Sequence, residues 1–177
     1  MGKGADMSAV VTSLAEYLST TYHPDRDYVD GELQVRNVGE FEHATIQAFL
    51  TSWFYQHRQE WQLHVLPEMR VKVSSERVRV PDVCLASRNQ PVEQVITRPP
   101  LAVLEILSPE DRVLRYNERL ADYRQMGVRH VWVIDPANKT GYDCSTNAWL
   151  PVEEFRVPQS PIYLRLADVW RELESSR

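Results

Sequence analysis

The chain has 177 residues and a formal net charge of −5, with 43% of it hydrophobic and 25% charged. That length holds one domain with a sizeable core, and that composition is ordinary for a soluble globular protein, with disorder not expected beyond the ends. The acidic balance also excludes the global basic field of a protein that coats nucleic acid.

The choice of basic residue is uneven, since Lys3, Lys72 and Lys139 stand against 17 arginines. Arginine's planar fork suits phosphate or carboxylate, and surface ion pairs or a GC-rich genome account for the bias equally well. Cys84 and Cys144 have no CxxC spacing, which argues against a structural zinc site or a disulfide framework and for reduced thiols. The apolar run from Ala9 to Ala15 is cut short by Glu16, so it reads as neither a signal peptide nor a membrane span. A cytoplasmic protein with no membrane contact is expected.

Residues 1–7 read as a loose leader, followed by a single domain over 8–177. Ser8 to Thr20 predicts a short helix with Ser8 as its N-cap, Val11, Leu14, Ala15 and Leu18 on one side, and a stop at His23-Pro24. Asp30-Gly31 lies between two β-prone pieces within Tyr28–Val35, the strongest short-range signal for a hairpin. From Glu40 to about Gln59, Ile46, Phe49, Leu50 and Trp53 recur at helical spacing. Met69–Val73 and Arg77–Val80 alternate as antiparallel strands about a turn at Ser74-Ser75.

Pro81–Ala86 reads as a further strand, and a polar loop leads to Leu101–Leu107, whose continuous apolar run predicts a central strand buried on both faces. Ser108-Pro109-Glu110-Asp111 ends that strand and caps a second helix over Asp111–Gln125, where Val113, Tyr116, Leu120 and Tyr123 form the stripe and Gly127 the stop. Arg129–Ile134 returns as a strand, completing a βαβ crossover. Edge strands over Thr140–Val157 and a closing helix over Leu166–Leu173 finish an α/β fold with a mixed sheet flanked by helices. Trp53, Trp132, Trp149 and Trp170 lie mostly within periodic apolar runs and read as core, with a homodimer contact as the alternative.

Chemistry concentrates at Asp82 and Glu105, each at the edge of an apolar strand. Two carboxylates buried side by side repel and lose hydration, so a cation between them is expected. Mg²⁺ suits the pair because it takes oxygen ligands and needs only one or two protein carboxylates. The plainer alternative is a Pro-Asp turn and a Glu that faces solvent.

Taken together, Pro81-Asp82-Val83, the run from Pro100 to Pro109, Leu120-Ala121-Asp122-Tyr123, Gly127-Val128 and Val131 to Pro136 resemble the Uma family of restriction-endonuclease-like proteins. Asp30-Gly31-Glu32-Leu33 and His43 match the same layout upstream. The resemblance runs in order from about Tyr28 to Pro136 and implies a PD-(D/E)XK nuclease fold, with Asp82 and Glu105 as the two acids. It further implies Mg²⁺, or Mn²⁺ in its place, held by Asp82, Glu105 and the carbonyl of Ile106, with DNA as the substrate.

The third motif position, a lysine in that superfamily, is Leu107 here. By the same resemblance its role passes to Arg119 on the second helix, with Lys72 as another candidate. Arg119 can stabilise phosphate charge but cannot act as a base near neutral pH. Glu32 and His43 are auxiliary candidates, although a solvated Glu and a packing His are the plainer readings. Two functions are therefore carried forward: a metal-dependent endonuclease, and a nuclease scaffold that binds without turnover.

Overall fold

The computed structural model describes residues 11–36, 40–109 and 113–177, with nothing said of the Val113 side chain. The proposed leader, the Ser8 cap and the Glu110-Asp111 part of the second helix cap lie outside the described residues. In chain order the first half gives α1 (Leu14–Ser19), β1 (Arg26–Val29), β2 (Glu32–Val35), α2 (Phe41–His57), β3 (Leu63–Pro67), β4 (Val71–Ser74), β5 (Arg77–Arg79) and β6 (Val83–Ser87). The second half gives β7 (Ala102–Ile106), α3 (Val113–Met126), β8 (His130–Asp135), β9 (Thr140–Asp143), β10 (Leu150–Val152), β11 (Glu154–Arg156), β12 (Tyr163–Arg165) and α4 (Leu166–Ser175).

The strands form a six-stranded sheet in the order β10-β9-β8-β7-β6-β3, a four-stranded sheet β2-β1-β5-β4, and the pair β11-β12. The chain leaves β5 for β6 through Val80-Pro81-Asp82. Pro81 has no N–H to give a ladder, so the strand breaks there and resumes in the other sheet. The mixed sheet that the sequence predicts is therefore divided, with the hairpin and β4-β5 forming a layer of their own.

Strands β7 and β8 run parallel across the α3 crossover, and β6 and β7 are antiparallel with Val83 opposite Leu104 and Cys84 opposite Val103. Because side chains alternate, the two faces separate cleanly. Val83, Leu85, Ala102, Leu104 and Ile106 pack with Ile46, Leu50 and Phe54 of α2 and Val169 and Leu173 of α4. Cys84, Val103, Val131 and Val133 pack with Leu120 and Tyr123 of α3. All of β7 is buried, as its apolar run predicts.

The Asp30-Gly31 hairpin forms with φ of 50° and 92° at its two turn residues, the positive values that a type I′ turn demands. The first helix differs from its prediction. Ser13 is the N-cap, its Oγ accepting the Glu16 N–H at 3.2 Å, and Tyr17 is the buried residue, packed with Tyr28 and Val78. Val11, which precedes the helix, and Leu18 face outward, whereas Leu14 packs partly buried against the same cluster.

Trp132 is buried and stacks on Phe155 at 5.0 Å, and the Trp53 indole donates to the Tyr163 carbonyl at 2.9 Å, so both are core. Among the described residues no helix is long and apolar enough to cross a membrane.

Candidate active site

Register alone brings the acids together. With Val83 opposite Leu104, the next residues outward are Asp82 and Glu105, which fall on the α3 face of the six-stranded sheet. Asp82 Oδ2 accepts the Ile106 N–H at 2.7 Å, and this bond ties the bend after Pro81 to the end of β7. Asp82 Oδ1 accepts from Arg36 Nη2 at 2.7 Å and lies 3.3 Å from His43 Nε2. The backbone carbonyl of Asp82 accepts from Gln47 Nε2 at 3.0 Å and from the Glu68 N–H at 3.3 Å.

Glu105 is held from α3. Tyr123 OH donates to Oε1 at 2.6 Å and Arg119 Nη1 to Oε2 at 3.2 Å, while Tyr116 OH donates to the Ile106 carbonyl at 3.2 Å. Tyr116, Arg119 and Tyr123 are spaced by three and four residues, which sets them on one side of the helix. Arg119 Nη2 also donates to Asp27 Oδ2 at 2.8 Å, and the network continues into the smaller sheet. There Arg79 donates to Asp27 at 3.0 Å and to Asp122 at 2.7 Å, and the Val80 N–H closes on Asp27 Oδ1 at 3.0 Å. Asp27 and Glu105 are 0% exposed, Arg79 1% and Asp82 2%, so these four ions depend on protein partners.

The two acids are kept unlike. Burial raises the pKa of Asp82, but the His43 hydrogen bond, Arg36 and the Ile106 N–H outweigh it and leave it lowered. Burial dominates at Glu105. Even with Arg119 and Tyr123 beside it, desolvation and the charge of Asp82 push it up to about 7. His43 is raised, because Asp82 overcomes the burial that opposes its charge.

The predicted site residues are thus partly assembled. Asp82, Glu105, Ile106, Arg119 and His43 converge, and His43 is a partner of Asp82 rather than mere packing. Leu107 packs against the α3-side core where the motif lysine would stand, and the positive charge comes instead from α3. Lys72 is a correction. It lies opposite Val78, on the face of the four-stranded sheet shared with Tyr28, whereas Asp27 and Arg79 use the other face. Glu32 is exposed beside the hairpin turn and is not brought to the pair.

Arg36, Asp27, Arg79 and Tyr123 have site roles that the sequence reading did not assign. Alternation in β1 and β5 was the available signal for two of them, since Asp27 precedes the inward Tyr28 and Arg79 follows the inward Val78.

The family model described as "Putative restriction endonuclease", Uma2, matches residues 14–169. The chain belongs to the Uma2 family. A crystal structure of a protein described as a putative nuclease belonging to DUF820, from Anabaena variabilis ATCC 29413, superposes with a TM-score of 0.77 at 19% identity, over 91% of this chain and 98% of that one. It shares the Uma2 protein's fold. A cryo-EM structure of a DrdV–DNA complex gives a TM-score of 0.40 at 14% identity over 74% of this chain and 11% of that one, too distant to carry an argument. No curated protein sequence matches significantly.

A divalent metal fits the donor set of this Uma2 protein. Among the described residues no cluster of three or more His, Cys, Asp or Glu could hold a metal, but two carboxylates and a carbonyl make the all-oxygen set that a hard, water-retaining cation uses.

Proposed function

We propose that the protein is a metal-dependent endonuclease that hydrolyses DNA phosphodiester bonds. The observation that carries this reading is the pairing of buried Asp82 and Glu105 on one face of adjacent strand ends, with a helix-borne guanidinium on Glu105. Asp82, Glu105 and the Ile106 carbonyl would hold Mg²⁺ or Mn²⁺. When bound, that ion supplies Lewis-acid stabilisation of phosphoryl oxygens and an ionised water.

The chain's own groups do the rest. Arg36 and His43 keep Asp82 ionised, and Tyr123 orients Glu105 while Tyr116 fixes the Ile106 carbonyl. Arg119 carries the positive charge that meets a phosphate, and it stays protonated at any working pH, so it stabilises charge rather than moving a proton.

A second reading has its own support. The oxygens of Asp82 and Glu105 already accept from Arg36 and Arg119, and Leu107 replaces the motif lysine, so the same fold would also serve as a binding scaffold without turnover. Cleavage of plasmid and single-stranded DNA with Mg²⁺, Mn²⁺ or EDTA, run beside Asp82→Ala, separates the two. The nuclease predicts metal-dependent cutting that Asp82→Ala and EDTA abolish. Equal traces from wild type and variant with every metal would overturn it in favour of the scaffold.

A further inference from the structure

Against Tyr116, whose hydroxyl holds the Ile106 carbonyl, lies a groove of about 510 Å³ whose other walls the mechanism above leaves unused. Its walls come from α3, the end of β8 and the turn between β9 and β10, and include Tyr116, Asn117, Arg124, Asp135, Tyr142 and Trp149. Trp149 and Tyr142 meet edge to face with ring centres 5.5 Å apart. The Trp149 indole N–H donates to Asn117 Oδ1 at 3.0 Å, pinning the half-buried ring against α3. Arg124 Nη1 donates to the Cys144 carbonyl at 3.0 Å, which anchors a guanidinium in the same wall.

The groove's one carboxylate is already engaged. Asp135 accepts from the Ala137 N–H at 3.0 Å, the Asn138 N–H at 3.2 Å and the Asn138 side-chain amide at 2.8 Å, so its charge is spent on the turn after β8. What remains is an aromatic surface with amide and guanidinium groups around it. That pattern suits a flat, polar-edged ring attached to an anion, and the volume lies within the roughly 300–1,000 Å³ usual for ligand sites.

Its position narrows the choice of ring. Tyr116, in the groove wall, is the residue whose hydroxyl holds the Ile106 carbonyl, and Leu107 and Ser108 line both this groove and an adjoining cavity of about 200 Å³ that reaches His43. The groove thus shares wall residues with the cavity that reaches His43, the partner of Asp82. We propose that it binds an unpaired nucleobase next to the phosphate addressed by the carboxylate pair, so that the substrate is single-stranded or locally unpaired nucleic acid. This rests on the nuclease reading and sharpens its substrate class. Bases within a duplex are stacked on one another and must be unstacked to lie on Trp149, whereas a single strand offers its ring faces directly.

The test is binding of a fluorescein-labelled 15-nucleotide single strand and of a labelled hairpin duplex to the full chain, by anisotropy, in EDTA and again in Ca²⁺. Wild type is expected to favour the single strand. Trp149→Ala should weaken that binding about tenfold or more, Trp149→Phe should restore most of it, and duplex binding should change less than about twofold. Asn147→Trp, which fills the groove mouth from an exposed position and removes no core packing, should reproduce the loss even if Trp149→Ala is unstable.

Single-strand affinity unchanged in the folded variants, or a wild-type preference for duplex, would overturn the groove assignment. If metal-dependent cutting still vanished in Asp82→Ala, the nuclease reading would stand. No binding of either probe by wild type, with no cutting, would remove both.

Discussion

On one face of the six-stranded sheet, Val83, Leu85, Leu104 and Ile106 pack their apolar side chains with those of α2 and α4, and α2 makes its polar contacts at the strand end, where His43 and Gln47 reach Asp82. On the other, Cys84 and Val103 share the α3 interface with Asp82 and Glu105, and through them with Arg36, Arg119, Asp27 and Arg79. Alternate residues of the same strands build both faces, yet their failure modes differ. An apolar face loses energy in proportion to the volume removed, because neighbours relax partly into the space. A buried ionic face loses energy according to how many partners a deletion leaves uncompensated.

The largest effect should therefore come from Arg79, which lies between Asp27 and Asp122 with 1% exposure. Arg79→Met is expected to lower unfolding free energy in urea by about 3–5 kcal/mol, since two buried acids each lose a charged partner and keep only Arg119 and Arg77. A loss below about 1 kcal/mol would show that the ions are not interlocked. Next comes Leu50→Ala on the apolar face, expected to cost about 3 kcal/mol by the same measurement while leaving cleavage per folded molecule unchanged.

Tyr123→Phe is subtler. It removes only the hydrogen bond to Glu105, a loss of about 1.5 kcal/mol, and should move the Glu105 carboxyl still higher, readable in the pH profile of activity.

The smallest effect per step is a slope with pH. Glu105 is raised from its ordinary 4.5 to about 7, so the folded chain binds more proton than the unfolded one across that window. Its contribution to stability is fully present below 4.5 and is lost as pH rises through about 7, at no more than about 1.4 kcal/mol per pH unit. His43, also raised, acts in the same direction above its ordinary 6.5, whereas Asp82, lowered, loses its contribution only in more acidic solution than its ordinary 3.8. Glu105→Gln should flatten the fall in Tm between pH 4.5 and 7. An unchanged slope would place the titrating group elsewhere.

Much of the ionic face was legible from residue order. The Asp30-Gly31 turn, the continuous apolar β7 and the helical spacing of Tyr116, Leu120 and Tyr123 are local signals, and local physics fixes them. The pairing of Asp82 with Glu105 was also readable, since strand ends with an acid each have few ways to be neutral. Arg36 was not, because nothing near it in sequence reveals that an arginine just after β2 will cross to Asp82, 46 residues away. Lys72 was misjudged for a related reason: alternation tells which residues share a face but not which face meets the helix. The splitting of the sheet at Pro81 decided that, and it decided as well that Asp27 and Arg79, rather than Lys72, join Arg119.

Ile106 gives its N–H to Asp82 and its carbonyl to Tyr116, so the peptide groups on either side of its Cα are each held. That grip exists in only one alignment of β6 with β7. A slip of a single position would turn Glu105 toward α2 and leave Asp82 without its backbone donor. A misregistered chain would therefore lose the acid pair as well as the packing of both faces. Assembly of the acid pair thus reports that the strands on either side of the 88–101 loop have paired in register.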